Sequence, residues 1–511
     1  MSACTKTRLA AAFLLVGSIG TVATAQIDYD RIRNEVGTVR IEARVQRFEP
    51  IQSVVAGAFP IHTSNYDVVA VWDPPGGRAH ESWDMELIYP LPGAMQISFT
   101  SNETVGTRRQ SGGLAGQSVG PMESSRIGAN FKDLWLSNPI LLLAHAEQGA
   151  VSNGDRGDNG ARSDQPLVSH QLALEDTEWL VEIDGASGLP ASARTTENDP
   201  HRGRIENRID FSDWRDVDGI PFPFRLEQFT GDRLVRREIR AEVNVNSEEA
   251  ESLLAFEVGE LPPGDPAMRR WGWDMSHIVL KRAGGGNIGN YPQIDNVTIE
   301  EIAPGIFLVP GTHNNLIIEG PEGLALVDAS WYPERSHTLL ALMAEQWPEK
   351  PIRYLILTHH HIDHTGGMRP VIEAGASVVT SENNAGYFRE VFESTMPQSV
   401  NLIEVGQFLS LDGIGREIHA FDVYTEHADG MIAVYVPDEK LLFNADLFSP
   451  NRALQFSLWF DDLMHAIVWH GIDVEKHVGG HGSGIAAHPV DVSGHTMSVI
   501  RRLEVVEVGA N

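Results

Sequence analysis

The segment RYLILTHHHIDHTGG, residues 353–367, places His359, His361, Asp363 and His364 directly after the apolar run Tyr354 to Leu357. Imidazole and carboxylate are the donors a divalent ion such as Zn(II) accepts where no thiolate is offered. A tight loop at a strand end turns alternate side chains toward one point, and Gly366 with Gly367 lets the chain enter the next helix closely. One such loop cannot complete two coordination spheres. The missing donors come later: His427 in TEHADG, Asp446 at the end of LLFNAD and His481 in GGHG.

This ordered set, H-x-H-x-D-H followed by His, Asp and His, resembles the metallo-β-lactamase superfamily, and Asp328 in LALVDAS stands where that family carries an upstream acid. The resemblance runs from Val297 to about Val506. It implies an α/β fold, an αββα sandwich with metals at one edge of its two sheets. By motif, His359, His361 and His427 hold one metal, Asp363, His364 and His481 hold the other, and Asp446 bridges them. Asp328 matches a position that orients the loop or a ligand histidine without touching metal. His360 is out of phase with its neighbours and takes a structural place. His313, His337, His419, His465, His470, His477, His488 and His495 lack motif support and read as surface or packing residues.

The expected cofactor is two Zn(2+) per chain, with iron or manganese as alternatives. Such a pair lowers the pKa of bound water from ~16 toward ~7, giving a nucleophile without Ser or Cys. Asp363 and Asp446 are the catalytic candidates. Asp363 would orient the hydroxide and pass its proton to the leaving group, while Tyr424, three residues before His427, reads as packing in preference to an oxyanion contact. The THHHIDHTGG stretch and the bridging Asp446 resemble the glyoxalase II and lactonase branches, so the expected substrate is a small carboxylic ester, lactone or thioester. β-Lactam hydrolysis, sulfur oxidation at one iron, and capture of an apolar ligand by the N-terminal half are the alternatives.

Elements that must position these residues are set by the whole chain. Its 511 residues exceed one comfortable core. Lys6 and Arg8, the apolar run from Leu9, and Ala23-Thr24-Ala25 read as a leader over 1–25, which predicts a periplasmic or secreted protein with no later run of ~20 apolar residues to span a membrane. Cys4, the only cysteine, would leave with the leader, excluding disulfides and thiolate chemistry in the mature chain. The formal charge of −31 repels phosphate backbones and makes nucleic acid an unsuitable partner. Residues 26–258 read as a β-rich accessory domain. There, Ile239, Ala241, Val243 and Val245 alternate with polar residues as on a half-solvated strand. The stretch FSDWRDVDGIPFPFRLEQF, residues 211–229, resembles a strand-turn-strand of periplasmic lipoprotein-carrier-like curved sheets, with the turn at Asp218-Gly219 and Pro221 and Pro223 confined to an edge or bulge. A helical insertion is expected around Leu134 to Ala146 and a loop from Gly149 to Asp164. Residues 259–293 read as a linker and 294–511 as the catalytic domain. On this reading, removing the N-terminal half spares metal binding.

Overall fold

The computed structural model describes residues 27–49, 53–89, 92–112, 117–154, 167–256, 261–281, 296–450, 459–482 and 486–487. The leader expected over 1–25 lies outside them. Among the described residues no helix is long and apolar enough to cross a membrane.

Thirteen strands, β1 (Val39–Glu49) to β13 (Arg233–Val245), form one antiparallel sheet. From the edge strand β6 (Ser118–Pro121) the order descends to β1, passes to β13, and descends again to the other edge at β7 (Glu147–Gly154). One face packs on the helices Ser124–Ser137 and Pro139–His145, with Trp72, Trp83, Phe99, Trp135 and Trp179 in the shared core. The expected insertion is therefore two helices beginning ten residues earlier, divided where Pro139 cannot continue the first. The loop expected from Gly149 is overturned in its first part, because residues up to Gly154 continue β7 and pair with β8 (Leu167–Leu174) across a bulge. Residues 155–166 lie outside the described set.

At the hairpin of β11 (Gly203–Val217) and β12 (Ile220–Thr230), Asp218 and Gly219 both adopt positive φ, 54° and 79°, as a two-residue turn matched to strand twist requires. Pro221 and Pro223 pair only with β11, since β13 meets β12 from Arg225 onward, so neither proline removes a donor from an interior ladder. The face expected for β13 is reversed over its middle. Ile239 is 60% exposed, while Arg236, Glu238 and Arg240 point inward. Their charges meet partners on the first insertion helix and the residue after it. Arg236 lies 2.5 Å from Asp133, Arg240 is 2.9 Å from Glu238, and Arg240 also donates to the Ser137 carbonyl and to Asn138. Ala241 is skipped in the pairing with β1, and this bulge returns Val243 to the core.

Within the expected linker, the helices Pro266–Asp274 and Ser276–Lys281 contact both halves. Trp273 packs edge-on to Trp179 in the first core, whereas Ile278 and Val279 cluster with Trp331, Tyr332 and Ile362 beside the histidine loop.

The C-terminal half has two sheets. The first runs from β14 (Glu300–Ala303) to β20 (Leu402–Val405) in chain order, and the second from β21 (Phe408–Leu411) to β26 (Ala486–Ala487). One apolar layer lies between the sheets, and another lies between the first sheet and the helices Pro333–Gln346, Met368–Glu373 and Glu382–Thr395. This is the expected αββα layering. Parallel pairing of β17 (Gly323–Val327) with β18 (Ile352–Ile356), and of β24 (Leu441–Phe443) with β25 (Lys476–Val478), brings four carboxyl ends to one edge. Asp328, the histidine loop, Asp446 and His481 follow those four ends.

Candidate metal centre

Two groups of donors converge at this edge. His359, His361, His427 and Asp446 offer ligand atoms within 4.8 Å of one another, and so do His313, His364 and His481. Asp446 joins the groups. Its Oδ2 lies 3.0 Å from His427 Nε2 and 3.9 Å from His359 Nε2, while its Oδ1 lies 2.8 Å from His364 Nε2 and 3.0 Å from His481 Nε2. Burial and neighbouring imidazoles hold His359 and His361 well below their ordinary pKa, so both are neutral and keep a lone pair. Burial opposes charge on Asp446, yet His364 and His481 beside it pull its carboxyl well below the usual range. The Nε2 atoms of His359 and His427 face each other at 3.3 Å, and His361 Nδ1 is buried without a hydrogen-bond partner among the described residues. The neutral imidazoles of His359 and His361, one ionised carboxylate and a nitrogen without a partner among the described residues are the kind of set a divalent cation completes, while the Asp446 and Asp328 carboxylates hold His364 well above its ordinary pKa against the effect of burial.

Asp363 stands apart from the expected second group. Its Oδ2 lies 3.0 Å from His313 Nε2, and His313 is buried with its ring 4.1 Å from His481. Placing His313 on the surface or in ordinary packing is thereby overturned. Proximity suggests that His313 is a ligand, but its tautomer argues otherwise. The Trp331 indole N–H, which can only donate, points at His313 Nδ1 at 2.9 Å, so a neutral His313 carries its proton on Nε2 and donates toward Asp363. Trp331 holds this position in the left-handed region, φ 66°, which is strained for a bulky residue. Gly366 makes room behind it, since a Cβ there would run into the Trp331 carbonyl.

Asp328 takes the orienting place expected of it. Fully buried at φ 57°, it accepts from Thr358 N at 2.9 Å and Thr358 Oγ1 at 3.0 Å, and lies 2.9 Å from His364 Nδ1, turning His364 Nε2 toward Asp446. His360 donates to the Ser53 carbonyl at 2.7 Å, the structural role expected. Tyr424 is 93% exposed, so the packing role expected of it is not met among the described residues. The aromatic group against His427 is instead Trp459, with ring centroids 4.3 Å apart. His477 is buried, His419 and His470 pair with Glu417 and Asp422, and His337 and His465 are exposed. His488 and His495 lie outside the described residues.

Sequence reasoning missed Tyr89 and Ser53, both from the N-terminal half. The Tyr89 hydroxyl is buried without a hydrogen-bond partner among the described residues, and burial, then the Asp446 and Asp363 carboxylates, raise its pKa. The two carboxylates of the C-terminal half thus act on it electrostatically across the junction of the halves.

Comparison with known proteins agrees with this geometry. A family model described as metallo-beta-lactamase superfamily matches residues 308–469. The chain is 25% identical to 2,4-dinitroanisole O-demethylase subunit alpha of Nocardioides sp. over 38% of its own length and 61% of that protein. It is 37% identical to an (R)-specific secondary-alkylsulfatase of Pseudomonas sp. over 16% of its length and 13% of that enzyme. The chain thus matches less than two thirds of either relative. A metallo-beta-lactamase from Pontibacter korlensis is similar to 40% of this chain over 99% of its own, at 20% identity and a TM-score of 0.34. The C-terminal half of the chain, through residues 308–469, carries a metallo-β-lactamase superfamily domain.

Proposed function

We propose that the protein is an exported hydrolase that uses two zinc ions to cleave a carboxylic ester, lactone or thioester. The observation that carries this reading is Asp446, whose two carboxylate oxygens face two separate histidine groups. His359, His361 and His427 would hold one ion and Asp363, His364 and His481 the other, with Asp446 shared. Metal held by these residues would supply a hydroxide at neutral pH and polarise the attacked group. Asp363, fixed on His313, holds the nucleophile's proton and passes it to the leaving oxygen or sulfur. The Tyr89 hydroxyl, without a hydrogen-bond partner among the described residues, would donate to the oxygen on which charge develops.

A sulfate ester is the second reading, favoured by the local match to an enzyme named as a secondary-alkylsulfatase. The test is elemental analysis of the full chain together with a panel of lactone, aryl ester, thioester, β-lactam and secondary-alkyl sulfate substrates. About two zinc per chain with turnover of a carboxylic ester, lactone or thioester is the expected result. Turnover of the sulfate alone selects the second reading, and about one iron without hydrolysis overturns both. Cell fractionation tests export, and protein retained in the cytoplasm would refute it.

A further inference from the structure

The histidine loop is held by the other half of the chain. The carbonyl of Ser53, in the segment between β1 and β2 (Ile61–Asp73), lies 2.7 Å from His360 Nε2 and 3.0 Å from His361 Nε2. A carbonyl only accepts, so each histidine meets it with a protonated Nε2. A singly protonated His361 ring then keeps its lone pair on Nδ1, a buried nitrogen with no hydrogen-bond partner among the described residues. The tautomer that could bind metal through Nδ1 is thus imposed by a backbone group about 300 residues away in sequence.

The Ser53 segment is anchored on both sides. The Asp429 N–H, two residues beyond His427, donates to the Val54 carbonyl at 2.7 Å, and Arg233 on β13 donates to the Gly57 carbonyl at 2.6 Å. Behind the loop His201 bridges Thr365 Oγ1 at 2.7 Å and the Tyr387 hydroxyl at 2.9 Å, and Arg369 donates to the His201 carbonyl at 2.9 Å. These contacts fix where the Ser53 carbonyl points relative to both His361 and His427.

We propose that the Ser53 carbonyl is a positioning group for the metal centre: by accepting the Nε2 proton of His361 it fixes that ring's tautomer and plane, making the N-terminal half part of the metal site. On this proposal removing that half would weaken metal binding, contrary to the expectation from sequence. The inference rests on the reading of His361 as a ligand. Partners of this kind typically set metal affinity by 10–100-fold through ring orientation and ligand basicity.

The test leaves every side chain in place. Replacing Val54 in the full chain by its α-hydroxy acid analogue converts the Ser53–Val54 amide into an ester, which weakens the Ser53 carbonyl as an acceptor. Cobalt(II) affinity is measured by chelator competition, and the site is read from its d–d absorption. The expected result is about ten-fold weaker binding of one of the two ions and an altered visible spectrum, with unchanged melting of the metal-free protein. Equal affinity and an identical spectrum in the amide and ester chains would overturn the proposal while leaving the metal site intact. A native chain that takes up no cobalt or zinc would overturn the ligand reading and this proposal with it. If the ester chain does not fold, histidine-selective nitrogen NMR of the zinc-loaded native chain decides. A protonated Nε2 and metal-bound Nδ1 on His361 support the proposal, and the opposite tautomer overturns it.

Discussion

His313 Nε2 stands 3.0 Å from Asp363 Oδ2, with the Trp331 indole N–H at 2.9 Å from the other ring nitrogen. The indole N–H is shared with Thr312 Oγ1 at 3.2 Å, and the protonated His313 Nε2 that this arrangement leaves is turned toward Asp363, so Asp363 is aimed by a polar contact and not by packing alone. His313→Phe removes the donor and leaves a buried carboxylate without it. The expected outcome is a second metal held about 10–100-fold more weakly, read by chelator competition. His313→Gln restores an N–H donor and should recover part of the loss. Full two-ion affinity in His313→Phe would show that Asp363 needs no such support.

Much of this site was legible because its donors follow strand ends. His359, His361 and His364 share one loop, Asp446 follows the short apolar run Leu441–Phe443, and His481 stands in the GGHG pattern after a strand too polar to be read as one. His313 was not legible from its surroundings in GTHNN, because its partner lies 18 residues on at Trp331. The hairpin register pairing Leu316 with Val327 brings those two ends together, and a Trp shortly after Asp328 opposite a His before Asn315 is the signal that could have found them. Ser53 and Tyr89 left no local pattern, since docking between distant segments imposes no periodicity. On β13 the strand was legible but its inward face was not, because Arg236, Glu238 and Arg240 are buried as ion pairs and reverse the apolar-in rule.

Burial lowers the pKa of His201 to about 4, against an ordinary value of about 6.5. The folded state then binds fewer protons than the unfolded state between these values, so stability is full above pH 6.5 and falls as pH drops toward 4. The share due to His201 is about 2 kcal/mol by pH 5. Urea unfolding of metal-free protein at pH 7.5 and pH 5 measures this, with His201→Asn expected to flatten the difference by a similar amount. Because His201 links Thr365 to Tyr387, the loss should appear first at the junction of the two halves. An equal pH dependence in both proteins would contradict the assignment.

Lys132 is fully buried, with its Nζ 3.2 Å from Glu197 Oε1 and 3.1 Å from the Trp273 carbonyl. Burial disfavours the Glu197 charge, but Lys132 and His277 draw its pKa well below the ordinary value. Lys132→Met leaves that charge undercompensated and should cost about 3–5 kcal/mol in urea unfolding. Adding Glu197→Gln removes the stranded charge and should recover most of the stability. A double variant no more stable than the single one would place the cost in packing.

Asp446 makes the strongest demand on the metal reading, because its two oxygens serve different groups. Oδ1 is 2.8 Å from His364 and 3.0 Å from His481, and Oδ2 is 3.0 Å from His427. Losing a ligand particular to one group would weaken one ion, whereas losing a shared one weakens both. Asp446→Ala should therefore reduce both affinities by at least about 10–100-fold and remove turnover with them, whereas His481→Ala should spare the ion held by His359, His361 and His427. Elemental analysis after dialysis against a weak chelator separates the cases: near-empty protein for Asp446→Ala, about one ion for His481→Ala. The comparison also guards against a folding artefact, since both variants lose a contact to the same centre and should melt alike when metal-free. An Asp446→Ala protein that keeps two ions and full activity would end the binuclear reading, because Asp446 is the carboxylate whose two oxygens lie within about 3 Å of donors in both groups.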